Sequence, residues 1–165
     1  MGHGRSGPTS SGRCSQLAVQ PVHYFVYRIN AFLNNARYEE NAKRFMLGIP
    51  ARLSDDEIQQ LATFYEAEPP VHAGKITDQT KYDLGKNIFM NGHPDKGVPP
   101  CMACHGEKGE GKDGPRIGGQ HEAYLMRQLK VFFGNERPAA TGMHEVVKGL
   151  SEPDIEAIAQ YLQAQ

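Results

Sequence analysis

The chain has 165 residues, 18 of them Lys or Arg and 19 Asp or Glu, which leaves a formal net charge of −1. This length suits one ordinary domain or two small ones. The balanced charge argues against a nucleic-acid partner, because such a partner requires a clustered basic surface. No apolar run approaches the roughly 20 residues that a membrane-spanning helix needs, so we expect no transmembrane segment.

The N-terminal residues 1–13 are polar and rich in Gly and Ser. They contain no apolar stretch of the kind that a secretory signal peptide carries, so we predict no signal peptide in this numbering. The three cysteines, Cys14, Cys101 and Cys104, are too few for a disulfide framework. With 18 Gly and 11 Pro, the composition favours short helices joined by irregular loops.

The sequence contains an internal repeat, in which residues 51–67 match residues 148–164. Each copy has a Ser, Ser54 or Ser151, with an acidic residue three positions later, which is a capping-box pattern for the start of a helix. Apolar residues then recur at helical spacing and predict an amphipathic helix in each copy. They are Ile58, Leu61, Ala62 and Tyr65 in the first copy and Ile155, Ile158, Ala159 and Leu162 in the second.

The repeat extends upstream of these two helices. The matched pairs are Tyr24 and Tyr124, Phe32 and Phe132, Asn35 and Asn135, Arg37 and Arg137, Met46 and Met143, and Leu53 and Leu150. We therefore predict two tandem copies of one small helical domain, residues 1–68 and 76–165. A Pro-rich connector of the semi-rigid kind, residues 69–75, joins them.

One further predicted helix, from Thr77 to Met90, belongs to the second copy alone in this numbering. Its residues Tyr82, Gly85, Ile88 and Phe89 share one helical face. Gly inside a helix costs about 1 kcal/mol relative to Ala. Two explanations stay open: close approach of another helix at Gly85, or a tolerated Gly in a weak helix.

The motif that carries chemistry is Cys101-Met-Ala-Cys-His105-Gly, which follows Pro99-Pro100. C-x-x-C-H is the attachment sequence of c-type haem. Two thiols must reach two vinyl groups on one edge of the porphyrin, and cysteines three positions apart lie on one side of a helical turn. The next residue can then turn its imidazole onto the iron. The sequence therefore predicts one covalent haem c, attached through Cys101 and Cys104 with His105 as an iron ligand.

The motif has three alternative interpretations. A thioredoxin-like redox motif would follow a strand in a βαβ unit, whereas the flanks here read as loops and helices. A zinc site would need a fourth ligand and usually a second close cysteine pair, which Cys14 alone does not supply. A match by chance is the third reading.

A haem that transfers electrons usually has Met or His as its second axial ligand. Downstream of His105 the candidates are Met126, Met143, His121 and His144. Met126 lies inside a predicted helix from His121 to Phe133, where Met commonly fills the core. The stretch from Pro138 to Met143 reads as irregular and can bend to present a thioether. The sequence therefore favours Met143, with His144 as the main rival.

These residues resemble the class I cytochromes c. The resemblance is carried by C-x-x-C-H-G, the loop Pro115-Arg-Ile-Gly-Gly-Gln120, Tyr124, Leu129, Phe132, Met143 and Leu150-Ser151. The duplication is similar to that of the bacterial two-domain dihaem cytochromes, the cytochrome c4 family. The resemblance implies an all-α fold of two tandem small domains, a low-spin haem held by His105 and Met143, and electron transfer in the periplasm. It also implies that the Pro115 carbonyl accepts a hydrogen bond from His105 Nδ1 and so orients the ring.

The first copy departs from this pattern because it has no C-x-x-C-H. A two-residue difference in loop length would put His3 opposite His105, but Gly2 then stands where the second Cys should be. The favoured interpretation is a degenerate first copy, kept for packing or docking. A haem held by His3 and Met46 without thioethers is one alternative, and an altered N-terminus is another. His23 is expected at the surface.

The expected role is that of an electron carrier or of the electron-transfer subunit of a larger respiratory or dehydrogenase complex, with redox proteins as donor and acceptor. Met ligation raises the reduction potential relative to a second His. Because both axial positions are filled, we predict no catalytic residues and no enzymatic activity. The alternative is a haem enzyme or gas-binding module with a labile sixth ligand, and carbon monoxide binding by the reduced protein would separate the two.

Overall fold

The computed structural model describes residues 3, 12, 14–72, 74–134 and 136–165, and it is all-α over these ranges. Eight α-helices are present in the described part: α1 Val22–Leu33, α2 Glu40–Met46, α3 Asp55–Ala67, α4 Gln79–Asn91, α5 Met102–His105, α6 Glu122–Phe133, α7 Thr141–Val147 and α8 Glu152–Gln163. Short 3-10 turns occupy Pro50–Arg52 and Pro94–Lys96. No helix within the described ranges has the length and apolar character needed to cross a bilayer.

The predicted repeat is visible as a repeated order of helices, with α1 to α3 matching α6 to α8. Both predicted capping boxes are present. Ser54 and Glu57 exchange bonds of 3.3 Å and 2.8 Å at the start of α3, and Ser151 and Asp154 exchange bonds of 3.4 Å and 2.9 Å at the start of α8. The all-α prediction and its two copies are therefore confirmed, with helix boundaries shifted by one or two residues.

The core of the second copy lies between α4, α6 and α8. At Gly85 the backbone of α4 approaches that of α8 so closely that an added Cβ would lie 1.9 Å from the carbonyl oxygen of Ala157. The close-approach explanation of Gly85 is thus confirmed. The cluster of buried apolar residues here includes Ile88, Phe89 and Leu162, and Cys101 and Met143 pack against its edge.

The core of the first copy is smaller. Its described buried cluster consists of Phe25, Ile29, Ile58 and Ala62. In the described residues α3 has no counterpart of α4 packed along it, and Phe64 is 38% exposed, whereas Tyr161 at the equivalent position of α8 is 3% exposed. The α3 helix therefore buries much less of its surface than α8 does.

The two copies meet through a reciprocal pair of glutamine contacts. The side chain of Gln20 donates to the carbonyl of Arg116 at 2.6 Å, and the side chain of Gln120 donates to the carbonyl of Gln16 at 3.2 Å. Each contact joins equivalent positions of the repeat in opposite directions, so the copies are related by an approximate two-fold axis. The connector lies against the second copy, where the ring of His72 bonds the terminal carbonyl of Gln165.

Replacing Gly85 by Ala should destabilise the protein, although Ala is the better helix former. The new methyl group would meet the Ala157 carbonyl oxygen and push α4 away from α8, and overpacking of this kind costs about 1–3 kcal/mol. Thermal unfolding of the holoprotein measures the effect. Gly48→Ala is the matched control, since nothing lies within 4 Å of its added Cβ. An unchanged or raised Tm for Gly85→Ala would contradict the close helix crossing.

Asp154 should make stability sensitive to acid. Burial alone would raise the pKa of this carboxyl, but hydrogen bonds from Lys96 and Ser151 outweigh burial and hold the pKa well below its usual 3.8. A pKa depressed in the folded state stabilises the protein above the unfolded value, and that stabilisation is lost as the pH falls below about 4.

Asp154→Asn should therefore lower the free energy of unfolding by about 1–3 kcal/mol at pH 7 and should flatten its decline below pH 4. Denaturant titrations from pH 7 to pH 2 test this expectation. Glu57→Gln, in the exposed capping box of the first copy, is the control and should change stability less. Equal effects of the two variants would show that the burial of Asp154 and its bond to Lys96 are unimportant.

Candidate functional site

The C-x-x-C-H motif forms one helical turn. The His105 amide donates to the Cys101 carbonyl at 3.0 Å, and the Gly106 amide donates to the Met102 carbonyl at 2.9 Å. Gly106 then adopts φ +84°, in the region that favours glycine, and ends the helix. Cys101 and Cys104 therefore occupy the same side of one turn, as their spacing predicts, and His105 follows at its end.

The ring of His105 is fixed by the loop that follows it. Its Nδ1–H donates to the Pro115 carbonyl at 2.9 Å, and because a carbonyl can only accept, the proton is on Nδ1. Burial lowers the pKa of His105, and the bond to Pro115 opposes this without cancelling it. The ring is consequently neutral near pH 7, with the lone pair of Nε2 available to a metal.

Backbone contacts hold that loop against the motif. The amide of Gly111 donates to the His105 carbonyl and that of Gly114 donates to the Cys104 carbonyl, both at 2.8 Å. A Cβ at Gly114 would lie 2.8 Å from Cε1 of His105, so only glycine leaves room for the ring in this position. The loop thus forms a cradle for the imidazole.

The environment of Cys101 differs from that of a redox or zinc-binding cysteine. Burial raises the pKa of the Cys101 thiol to about 11, whereas reactive and metal-binding cysteines have a lowered pKa. The described residues contain no β-strand next to the motif and no group of three or more His, Cys, Asp or Glu side chains placed to hold a metal ion. A protonated thiol next to a fixed, neutral imidazole fits thioether attachment of haem.

The candidate second ligands lie in the predicted secondary structure, except for Met143. Met143 was predicted in an irregular stretch, but it lies in the first turn of α7, because the backbone turns helical directly after Ala140. Met143 and Met126 are both partly buried against the core cluster of the second copy. His121 stands at the N-terminus of α6 and is partly buried.

The rival His144 is engaged elsewhere. Its ring nitrogens lie 2.5 Å and 2.9 Å from the carbonyls of Phe132 and Arg137. A ring held between two main-chain carbonyls at the end of α6 is not directed at a metal. This arrangement favours Met143 over His144.

The first copy repeats part of this geometry. The ring of His3 is partly buried, and its Nδ1 lies 2.8 Å from the Ser15 carbonyl, as His105 Nδ1 lies 2.9 Å from that of Pro115. Burial lowers the pKa of His3, as it does that of His105. Met46 is partly buried at the end of α2, and His23 is exposed as predicted. Met1, Gly2 and Gly4 lie outside the described residues.

Sequence reasoning missed two arginines between the two copies, the buried Arg137 and the partly buried Arg37. Arg37 and Arg137 were recognised only as matched positions of the repeat, yet both contact the side chain of Gln128 on α6. Burial of two like charges in one place is rare unless a counter-charge is supplied. Their occurrence at equivalent positions of the repeat was the available signal, because it marked the two arginines as a matched pair.

Comparison with known proteins decides the family. The Cytochrome c family model matches residues 82–165, slightly more than half of the chain. The chain belongs to the cytochrome c family. Its fold places it among the two-domain, cytochrome c4-like members, since it superimposes on cytochrome c4 from Acidithiobacillus ferrooxidans with a TM-score of 0.92 at 29% identity, over 99% of this chain and 96% of that one.

Two relatives align with most of this chain. A cytochrome c-552 from Acidithiobacillus ferridurans is 30% identical over 89% of this chain. A thiosulfate dehydrogenase electron acceptor from Thiomonas intermedia is 30% identical over 99% of it. The chain spans 64% of the length of the first relative and 76% of the second.

Replacing Met143 by Ala should open one face of the haem iron. The reduced holoprotein should then bind carbon monoxide readily, and the sulfur-to-iron absorption band of the oxidised form should disappear. Met126→Ala is the matched control, because Met126 packs against the same core cluster without being the favoured ligand. Loss of the band in Met126→Ala with retention in Met143→Ala would reverse the assignment.

Proposed function

We propose that this cytochrome is a one-electron carrier with one covalent haem c per chain, attached through Cys101 and Cys104 and ligated by His105 and Met143. The observation that carries the proposal is the bond from His105 Nδ1 to the Pro115 carbonyl within the C-x-x-C-H turn. When bound, the haem supplies an iron centre that gains and loses one electron.

Each residue of the site has a distinct part in this function. Cys101 and Cys104 tether the ring from one edge. His105 enters as a neutral imidazole whose orientation is fixed by Pro115, which makes it a stronger and better-directed ligand. Met143 would supply the second iron ligand and would favour a higher reduction potential than a second His.

A filled sixth position leaves no place for a substrate or gas, so the proposed protein has no catalytic residues and is not an enzyme. The rival function, a haem enzyme or gas-binding module, requires a labile sixth ligand. The engagement of His144 with main-chain carbonyls supports the carrier, because it leaves that side chain out of any distal acid–base role. The reduced wild-type protein should accordingly bind carbon monoxide poorly.

In this proposal only the second copy binds haem, and the first copy packs against it. Residues 76–165 form the haem domain, residues 69–75 are the connector, and residues 1–68 are a degenerate, haemless copy that packs against the haem domain. The small core of the first copy and its glutamine contacts with the second support this division. A domain with so little buried surface depends on its neighbour for stability.

A second candidate for the first copy is a haem pocket without thioethers, with His3 and Met46 as ligands. The specific observation in its favour is the His3 to Ser15 contact, which reproduces the arrangement at His105. This pocket would add a second cofactor without changing the number of covalent haems that the cysteines allow.

The proposed partners are redox proteins, including a dehydrogenase as electron donor. This choice is supported by the similarity to a protein named as an electron acceptor of thiosulfate dehydrogenase. We place the carrier in the periplasm and in a respiratory or related chain, because c-type haem attachment belongs to an exported compartment. Its proposed role there is to receive electrons on the oxidising side.

Haem stoichiometry tests the proposal directly. A pyridine haemochrome assay should give one covalent haem per chain, which should resist acid–acetone extraction, since thioether bonds survive that treatment. Cys101→Ala with Cys104→Ala should remove the resistant haem. Cys14→Ala is the control and should leave it in place, because Cys14 is followed by Ser and not by His.

Two resistant haems per chain would contradict the proposed count. One resistant and one extractable haem per chain, with the extractable one lost in His3→Ala, would instead establish the pocket of the first copy. No resistant haem at all would overturn the proposed function itself.

A further inference from the structure

The ring of His144 connects α7 to α6 and to the loop between them. One ring nitrogen lies 2.5 Å from the carbonyl oxygen of Phe132, near the end of α6, and the other lies 2.9 Å from that of Arg137 in the loop. The ring also meets that of Phe132 edge-on, with 6.1 Å between the ring centres. We call the contact with the two carbonyls the His144 clamp.

The first turn of α7 has little local stabilisation of its own. The helix has seven residues, Thr141–Val147, and no side chain caps its N-terminus at Ala140. Its second residue is Gly142, and Gly costs about 1 kcal/mol in a helix relative to Ala. A helix this short is marginal in water without tertiary contacts. The position of this turn is therefore set by contacts with other elements.

The two ends of α7 are held in different ways. In the last turn, Val147 is fully buried in the core cluster of the second copy. In the first turn, the amides of Met143 and His144 donate only locally, to the Ala140 carbonyl at 3.0 Å and 3.2 Å. Among the described residues 141–144, only the side chain of His144 hydrogen-bonds to another element. The clamp is thus the polar anchor of the turn that carries Met143.

The Arg137 carbonyl also fixes the bend that leads into α7. The amide of Ala140 donates to it at 2.9 Å, and Nε2 of His144 lies at the same distance from it. A carbonyl oxygen has two lone pairs and can accept from both groups. The start of α7 and the ring of His144 are therefore tied to one acceptor, which limits how far the first turn can move relative to the loop.

The first copy has no residue that could form the same clamp. Met46 pairs with Met143 in the repeat, so the position equivalent to His144 is occupied by Leu47. An aliphatic side chain has no hydrogen-bond donor. The clamp is therefore specific to the copy that also carries the C-x-x-C-H motif, which associates it with the haem site rather than with the repeated fold.

We propose that His144 is a positioning residue that holds Met143 in place as a ligand of the haem iron. The inference deepens the proposed function and rests on the assignment of Met143 as the second axial ligand. Because the two residues are consecutive, a ring bonded to two carbonyls restricts the main chain that carries the thioether. The clamp thereby shifts the equilibrium between released and iron-bound Met143 toward the bound form.

Imidazole binding by the oxidised holoprotein measures this equilibrium. Free imidazole can bind the iron only after Met143 has left it, so the apparent affinity for imidazole rises with the fraction of released Met143. His144→Phe keeps a ring beside Phe132 but cannot donate a hydrogen bond. It should strengthen imidazole binding about tenfold, as expected for the loss of one or two hydrogen bonds. The sulfur-to-iron band should accordingly disappear at a lower imidazole concentration.

Two further variants separate hydrogen bonding from other effects on α7. His144→Gln keeps an N–H donor and should recover part of the loss. Glu145→Ala is the matched control, because it changes the next residue of the same helix, whose side chain is 74% exposed and pairs with Lys148. It should leave imidazole affinity unchanged. Equal effects of His144→Phe and Glu145→Ala would overturn the proposal, and so would a Gln variant no better than the Phe variant.

A purely structural role of the ring leads to a different result. A side chain that only bonds the carbonyls at the end of a helix stabilises that helix. In that case His144→Phe should lower the Tm but leave imidazole affinity and the sulfur-to-iron band unchanged, which would overturn the proposal. If His144→Phe fails to fold around haem, His144→Gln replaces it in the test. It should strengthen imidazole binding about threefold, since a flexible amide replaces a fixed ring, and an unchanged affinity would overturn the proposal.

Spectra of the wild type and of Met143→Ala distinguish failure of this proposal from failure of the proposed function. A sulfur-to-iron band that persists in Met143→Ala would overturn the ligand assignment and the positioning role together. A band that is lost in Met143→Ala, combined with unchanged imidazole affinity in folded, haem-loaded His144→Phe, would overturn the positioning role alone.

Discussion

The hydrogen bond from the His105 ring to the Pro115 carbonyl is the constraint on which the second copy depends. It fixes the proton on Nδ1 and so determines which nitrogen faces a metal. To make that bond, the chain must return to the motif within ten residues, and the glycines at positions 111 and 114 allow it to do so. The same return brings the loop against the end of α8. The loop that orients the His105 ring therefore also contacts the end of α8, where the Gly119 amide donates to the Leu162 carbonyl at 2.8 Å.

The duplication has diverged in its hydrophobic surfaces more than in its polar contacts. In the second copy α4 covers α8 through the close crossing at Gly85, and the covered helix is buried along its length. The matching helix of the first copy keeps its capping box but buries only Ile58 and Ala62. By contrast, the glutamine contacts and the paired arginines occur in both copies. The boundary between the copies thus carries matched polar contacts, although the described hydrophobic cores of the two copies differ in size.

The features that sequence alone could predict are those set by nearby residues. A capping box involves residues three apart, and the turn from Cys101 to His105 is a single helical turn, so both follow from local patterns. The amphipathic stripe of α8 needed only its spacing. Met143 was identified as a candidate, yet its helix was missed because α7 is short and gains its stability from packing.

The contacts of Arg37 and Arg137 could not be predicted from the sequence for a different reason. The two arginines lie a hundred residues apart, and nothing in the pattern of either copy shows that Arg37 faces the second copy across an approximate two-fold axis. The rings of His144 and His3 are similar cases, since each is bonded to a carbonyl 7 or 12 residues away along an irregular path. Repetition marks such residues as paired, whereas only the packed structure shows what they are paired with.

The glutamine contacts also bear on how a chain of this kind could arise. Each uses a side-chain amide from one copy and a main-chain carbonyl from the other, at equivalent positions. A main-chain carbonyl is present whatever residue occupies its position, so one glutamine in a single ancestral domain would have made both halves of the contact between two identical molecules. Such a domain could have formed a symmetric homodimer before its gene was duplicated and joined. Fusion would then have preserved an older assembly.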